Sequence, residues 1–245
     1  QERLCINPNF SDTIEKCGSC GKESDLNMLR GRHWGTVCKC GFRIDSHDKL
    51  RDQIRPMYQE IRMKTAIEVG GLYKTVTENG QERPADILVV GVDGDKNQAL
   101  DITIRDPSCD SYVARNSWKT PLVAAKVGHD SKIKVFQETL IRAGAQGLNF
   151  TMTPLAFETS GAMGKETVKW FESMVAQNKA IEGQDREGIS SRMQNGLPNT
   201  WTANSFGSYW KQRISFFLAR DRANKRTVLM GQSQPRTDRG WTTGG

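Results

Sequence analysis

The sequence predicts an α/β fold: a mixed sheet flanked by helices, with a cysteine-rich module before it and a basic helix after it. Three observations carry this. Residues 85–92 (ADILVVGV) and 99–104 (ALDITI) are apolar runs of strand length, joined by a turn at Asp93-Gly94-Asp95. Helical periodicity precedes and follows them, as crossing helices require. Four of the six cysteines fall between Cys17 and Cys40, outside any periodic segment.

The elements follow in order. Leu50, Ile54, Met57 and Ile61 recur at spacings of three and four, which predicts a helix over 45–63 capped by Asp45 or Ser46. Apolar runs at 66–69 and 72–76 flank Gly70-Gly71, and Asn79-Gly80 signals a hairpin turn. The two strands at 85–92 and 99–104 come next, the second ended by Asp106-Pro107. Residues 121–144 read as a helix, 150–157 as a strand and 165–176 as an amphipathic helix after a turn at 161–164. Residues 179–203, polar with Gly, Asn, Pro and Ser, read as a linker. A last helix over 205–226 carries Tyr209, Ile214, Phe217 and Leu218 on one side, and the final GWTTGG reads as frayed. The expected organisation is a module at 1–42, a core at 43–178, and a linker with a helical tail at 179–245.

Composition narrows the function. At 245 residues with 36% hydrophobic content the chain can bury a core, and no apolar stretch approaches the ~20 residues of a membrane span. The opening QERLCINPNF lacks a basic start followed by an apolar run, so no secretory leader is expected. The net charge is +7, and residues 211–239 hold eight basic residues against two acidic ones. Lys211, Arg213, Arg220, Arg222, Lys225 and Arg226 are therefore the candidates to meet nucleic-acid phosphates. The bland alternative for them is a solvated helix face. Trp210 and Phe217 read as core rather than as stacking platforms.

The cysteine spacing suits zinc. Cys17 and Cys20 form a knuckle, and a second pair follows at the interval that closes a tetrahedral site. Either Cys17, Cys20, His33 and Cys38, or Cys17, Cys20, Cys38 and Cys40, supplies four ligands. Four protein ligands leave no open position, so the expected Zn²⁺ is structural. The polar segment between the pairs has no core of its own, and metal would supply that stability. Cys5 and Cys109 read as ordinary thiols.

The core holds an acidic pair. Asp86 opens one strand and Asp101 interrupts the next, where an unpaired charge is costly. Pairing of the two strands would bring both carboxylates to one edge, where they could bind Mg²⁺ or Mn²⁺. A strand-end Asp86 and a salt-bridged Asp101 are the alternative. Lys126, Lys132 and Lys134 follow on the next helix. Lys126 and Lys132, six apart, do not share a face, so only one would reach the carboxylates.

The order of these motifs carries a resemblance. Cys-x2-Cys, His-x4-Cys, then Ser46-His47-Asp48-Lys49-Leu50-Arg51-Asp52 opening a helix, Arg83-Pro84-Ala85-Asp86, and Leu100-Asp101-Ile102-Thr103 together resemble the restriction-like endonuclease region of site-specific non-LTR retrotransposons and their standalone relatives. The likeness runs from Cys17 to Gly164 and is weaker over 209–223. It implies a restriction-endonuclease-like, PD-(D/E)XK core behind a CCHC zinc knuckle that includes His33, and a DNA-nicking activity. By position it implies that Asp86 and Asp101 are the metal-binding acids and that Lys132, with Lys126 as alternative, is the catalytic lysine moved from the Thr103 position to the following helix. Glu68 matches an acidic residue at the end of the family's first helix. The chain departs in having Pro-Ala-Asp for Pro-Asp, and Val135 and Phe136 for a second Lys and a Tyr.

The expected function is a metal-dependent DNA endonuclease in the nucleus. The alternatives are an inactive nuclease fold that binds DNA or RNA, and a zinc-stabilised structural subunit of a larger nucleoprotein complex. No Tyr-x-Asp-Asp quartet occurs, so a detached domain or a domesticated relative is expected.

Overall fold

The structure is a computed structural model that describes residues 42–69, 85–142, 150–184 and 205–233. The cysteine module and the expected strand and turn at 72–80 lie outside the described residues. By internal contacts the chain divides into two units, Ile44–Arg220 and a second made of Gln1–Arg43 with Asp221–Gly245.

Helix α1 (Phe42–Glu60) begins three residues before the expected cap. Leu50, Ile54, Met57 and Tyr58 bury one face completely or nearly so, as their spacing requires. Arg62, in the left-handed region at φ 59, ends it, and the Met63 N–H closes back on the Tyr58 carbonyl at 2.9 Å.

Four strands form one sheet in the order β1-β2-β3-β4: β1 (Lys64–Ile67), β2 (Ile87–Asp93), β3 (Lys96–Arg105) and β4 (Phe150–Glu158). β1 lies two residues earlier than its apolar run suggested, because Glu68 turns the backbone to φ 48. β2 pairs antiparallel with both β1 and β3, and β4 runs parallel to β3. The β2–β3 hairpin turns at Gly94-Asp95, with Gly94 at φ 61, a conformation that glycine adopts freely. β3 starts three residues before the predicted strand.

The parallel β3–β4 pair needs a crossover. It consists of a short helix α2 (Asp110–Val113), which the sequence did not signal, a loop, and α3 (Val123–Arg142). Helix α4 (Lys165–Gln184) runs eight residues past its predicted end, so residues 179–184 are helical, not linker. Ile181 packs on the core there, which holds a polar stretch in the helix. Helix α5 (Phe206–Ser233) runs seven residues past its predicted end at 226. Phe206, Tyr209, Trp210, Ile214 and Leu218 are buried in the main core. Trp210 is therefore core, as its sequence setting suggested. No helix among the described residues is long and apolar enough to cross a membrane.

The sheet has two unequal faces. Ile87, Val89, Leu100, Ile102, Leu155 and Phe157 join α1, α4 and the start of α5 in one large core. A polar thread crosses it: Trp170 Nε1 donates to Tyr58 Oη at 2.7 Å, Tyr58 Oη to Gln98 Oε1 at 3.3 Å, and Gln98 Nε2 to Thr153 Oγ1 at 2.9 Å. Burial holds the Tyr58 phenol far above its ordinary pKa. The opposite face is built around Ala85, Leu88, Ala99 and Phe150, against Phe136 and Leu140 of α3.

Candidate active site

Strand pairing places the two acids. Ile87 of β2 is paired with Leu100 of β3, and the Asp86 N–H still reaches the Leu100 carbonyl at 2.8 Å. Among the described residues β2 pairs no further along β3, and Asp101 to Arg105 pair with β4. The Ile102 N–H needs an acceptor there, since an unpaired buried donor is costly. Asp86 Oδ2 accepts it at 2.6 Å. This bond fixes the Asp86 carboxylate where the strands part, next to Asp101. Residues two apart share a sheet face, so Asp86 with Leu88, and Asp101 with Ala99, belong to the face that α3 covers.

Helix α3 brings the cation. Gly128 lies against β3, where an added Cβ would stand 3.1 Å from both Thr103 Cγ2 and Arg105 Cγ. Only glycine allows this approach without displacement. Lys132 is one turn further on the same face, and its Nζ is 2.7 Å from Asp101 Oδ1. Lys126 is 75% exposed and pairs with Asp130 along the helix at 2.5 Å, so it is not brought to the carboxylates. Lys134 is exposed, with Glu138 at 3.8 Å. Thr103 is buried on β3.

Helix α1 adds groups that the sequence offered only as part of a motif. His47 Nε2 is 2.9 Å from Asp86 Oδ2, and its Nδ1 is 3.2 Å from Asp48 Oδ1. One turn on, Arg51 has only 9% of its side chain exposed. It donates to Glu68 Oε1 at 2.6 Å, to Asp48 Oδ1 at 3.3 Å and to Asp52 Oδ1 at 3.2 Å. Glu68 ends β1 rather than a helix, and its N–H reaches the Asp86 carbonyl at 3.2 Å. The signal that could have found His47 is a His-Asp pair on the polar side of a helix aimed at a strand-opening Asp.

The electrostatics separate the two acids. Burial would raise the Asp86 pKa, but the His47 hydrogen bond and charge, the Ile102 N–H and Lys132 together hold it below the ordinary carboxylate value. Asp101 is pushed up to about 6, by burial first and by the adjoining Asp86 carboxylate, against the pull of Lys132. The His47 hydrogen bond to Asp86 raises the imidazole pKa against the opposing effect of burial.

Among the described residues this bonded network holds five carboxylates (Asp48, Asp52, Glu68, Asp86 and Asp101) and three cations counting a protonated His47. No group of three or more His, Cys, Asp or Glu among the described residues is placed to hold a metal. Mg²⁺ needs fewer protein ligands, being held by one or two carboxylates, waters and substrate phosphate. Asp86 and Asp101 therefore fit Mg²⁺ or Mn²⁺. Cys17, Cys20, His33, Cys38 and Cys40 lie outside the described residues.

The basic candidates of α5 fare differently from one another. Lys211 and Arg220 are exposed and Arg222 is half-buried. Arg213 does not present itself to a ligand: its Nε donates to Gln53 Oε1 at 2.8 Å and its Nη1 to Tyr209 Oη at 2.5 Å. Its guanidinium lies 5.0 Å from the Trp210 ring centroid. It pins α5 to α1. Lys225 and Arg226 lie further along the same helix.

No protein-family model matches the chain, and no curated protein matches it in sequence.

Proposed function

We propose that the chain is a metal-dependent DNA endonuclease with a restriction-endonuclease-like core, of the kind its motif order resembles. One observation carries the proposal. Asp86 and Asp101 converge where β2 and β3 part, and Lys132 reaches Asp101 from the following helix at 2.7 Å. In this reading the two carboxylates hold Mg²⁺ or Mn²⁺. When bound, that ion polarises the scissile phosphate and eases deprotonation of the attacking water. Lys132 holds that water against Asp101 and offsets charge gathering on the phosphate. His47 and the Ile102 N–H hold the Asp86 carboxylate in place. The exposed Lys211 and Arg220 contribute phosphate contacts, and DNA is the partner, in the nucleus. Cys17, Cys20 and Cys38, with either His33 or Cys40, supply a structural Zn²⁺ site.

A second reading has its own observation. His47 and Lys132 already sit on the two carboxylates as internal counter-charges. That arrangement also suits a nuclease fold that binds DNA or RNA without cutting it, as a subunit of a nucleoprotein complex. Nicking of supercoiled plasmid with Mg²⁺ or Mn²⁺ decides between them, comparing the natural chain with Asp101→Ala at equal zinc content. Nicking that the variant loses is the expected result. No nicking by either, with DNA still bound at low salt, would sink the endonuclease and leave the binder.

A further inference from the structure

We propose that the loop between α2 and α3 is a stacking platform for an unpaired base of the bound nucleic-acid strand, with Trp118 as the platform. The identity of the ligand as nucleic acid rests on the nuclease reading.

Trp118 is 66% exposed, an uncommon state for the largest apolar side chain. Its loop is tied down. Ser117 Oγ donates to the Pro107 carbonyl at 2.7 Å and the Ser117 N–H to the Tyr112 carbonyl at 3.0 Å. The Asn116 carbonyl accepts from the N–H groups of Lys119 and Thr120 at 2.9 and 2.8 Å. Asn116 and Leu122 both lie in the left-handed region, at φ 60 and φ 64. Asparagine tolerates that region, whereas leucine is strained there by its Cβ. Such strain persists where surrounding structure enforces it, and ligand clamps are one such place. The indole is thus exposed on a braced loop, with little ordering left to lose on binding.

Charge indicates the occupant. The loop itself, residues 114–122, contains Arg115 and Lys119 and neither Asp nor Glu. Lys119 Nζ lies over one face of the indole, 4.7 Å from the centroid. An aromatic plane among cations is the combination that single-stranded nucleic acid binds. Placement agrees. Four β3 residues separate Asp101 from Arg105, ~13 Å at ~3.3 Å each. Nine α3 residues separate Val123 from Lys132, ~14 Å at ~1.5 Å each. These routes place the two elements that anchor the loop, at Arg105 and Val123, ~13–14 Å along the fold from Asp101 and Lys132. A nuclease that engages an unpaired base on this loop would prefer DNA opened or single-stranded near the cut.

The test measures binding by the full chain with Ca²⁺ in place of Mg²⁺. The probes are fluorescein-labelled oligothymidylate, a blunt duplex, and a duplex with a single-stranded tail. Trp118→Ala is expected to weaken oligothymidylate and tailed-duplex binding about tenfold with an unchanged salt slope. Its blunt-duplex affinity should stay within about twofold, and Trp118→Phe should recover most of the loss. Lys119→Ala should instead lower the salt slope on all three probes by about one. Circular dichroism checks folding of each variant. Failure of the natural chain to bind oligothymidylate, equal affinities for Trp118→Ala and the natural chain, or equal losses on single strand and blunt duplex would each overturn the platform. Asp101→Asn separates the two proposals. Cleavage that needs Asp101 beside a silent Trp118→Ala removes the platform alone. Absence of cleavage beside a Trp118-dependent preference removes the nuclease alone.

Discussion

The two faces of the sheet are packed with different residues for different ends. On one, Leu, Ile, Phe and Trp side chains from α1, α4 and α5 close over β2, β3 and β4. On the other, Ala85, Ala99 and Gly128 keep α3 close to the strands, and the space that bulky side chains would fill holds Asp86, Asp101 and Lys132. Large side chains make stability, at roughly 25 cal/mol per Å² of apolar burial. Small ones give up part of it and let charged groups meet at hydrogen-bond distance. Substitutions on the two faces should therefore fail differently, one in folding and one in chemistry.

The largest effect expected is on the α3 face. Under the nuclease reading, Lys132→Ala should lower plasmid nicking per folded molecule by ~10²–10⁴-fold, beyond whatever stability is lost by leaving Asp101 without its cation. A variant that nicks normally would detach Lys132 from the chemistry. On the other face Phe157, fully buried, should behave oppositely: Phe157→Ala should cost ~3–5 kcal/mol in chemical denaturation. Nicking per folded molecule should be retained. The same truncation at Phe150, in the smaller cluster, should cost less, and equal costs would erase the contrast between the faces.

The contrast also explains what the sequence made legible. The large face announces itself, because Leu50, Ile54, Met57 and Ile61 recur helically and 85–92 and 99–104 are apolar enough to name as strands. The meeting of Asp86 and Asp101 followed from pairing those strands. Choosing Lys132 over Lys126 needed the resemblance, since spacing alone shows only that the two diverge. The remainder is tertiary. Nothing local tells that His47 reaches a strand 39 residues away, or that Gly128 is a contact point rather than a weak place in a helix. The extension of α4 past residue 178 likewise comes from packing, which overrides a polar composition.

Acid titration sharpens the comparison next. Folded Asp101 holds its proton up to about 6, against 3.8 ordinarily. Between those values the native state binds more protons than the unfolded chain, so this group's contribution to stability falls as pH rises through the window. Its size is at most ~3 kcal/mol. Without added divalent metal, Asp101→Asn should flatten the fall in melting temperature between about pH 4 and pH 6. A wild-type profile already flat there would mean that Lys132 neutralises Asp101 fully. Gly128→Ala tests the close approach of α3. Alanine gains ~1 kcal/mol of helix propensity, but its Cβ meets Thr103 and Arg105 at 3.1 Å. Net stability should move by under ~1 kcal/mol, while nicking falls as Lys132 shifts from Asp101. Unchanged nicking would show that the strand, rather than the helix, yields.

The smallest effect belongs to Lys126, and it is informative because Lys126 and Lys132 share a helix. At ~100° per residue they point roughly 120° apart. One meets a carboxylate that is only 16% exposed, the other an Asp130 that is 54% exposed. An exposed i,i+4 pair contributes ~0.3–0.5 kcal/mol and is screened by salt. Lys126→Ala should therefore lower stability by no more than that at low salt, and by less at 0.5 M NaCl. Single-turnover nicking by the preformed DNA complex should be unchanged. A large loss there would place Lys126 rather than Lys132 at the reacting phosphate, and would require α3 to rotate by about a third of a turn when DNA binds.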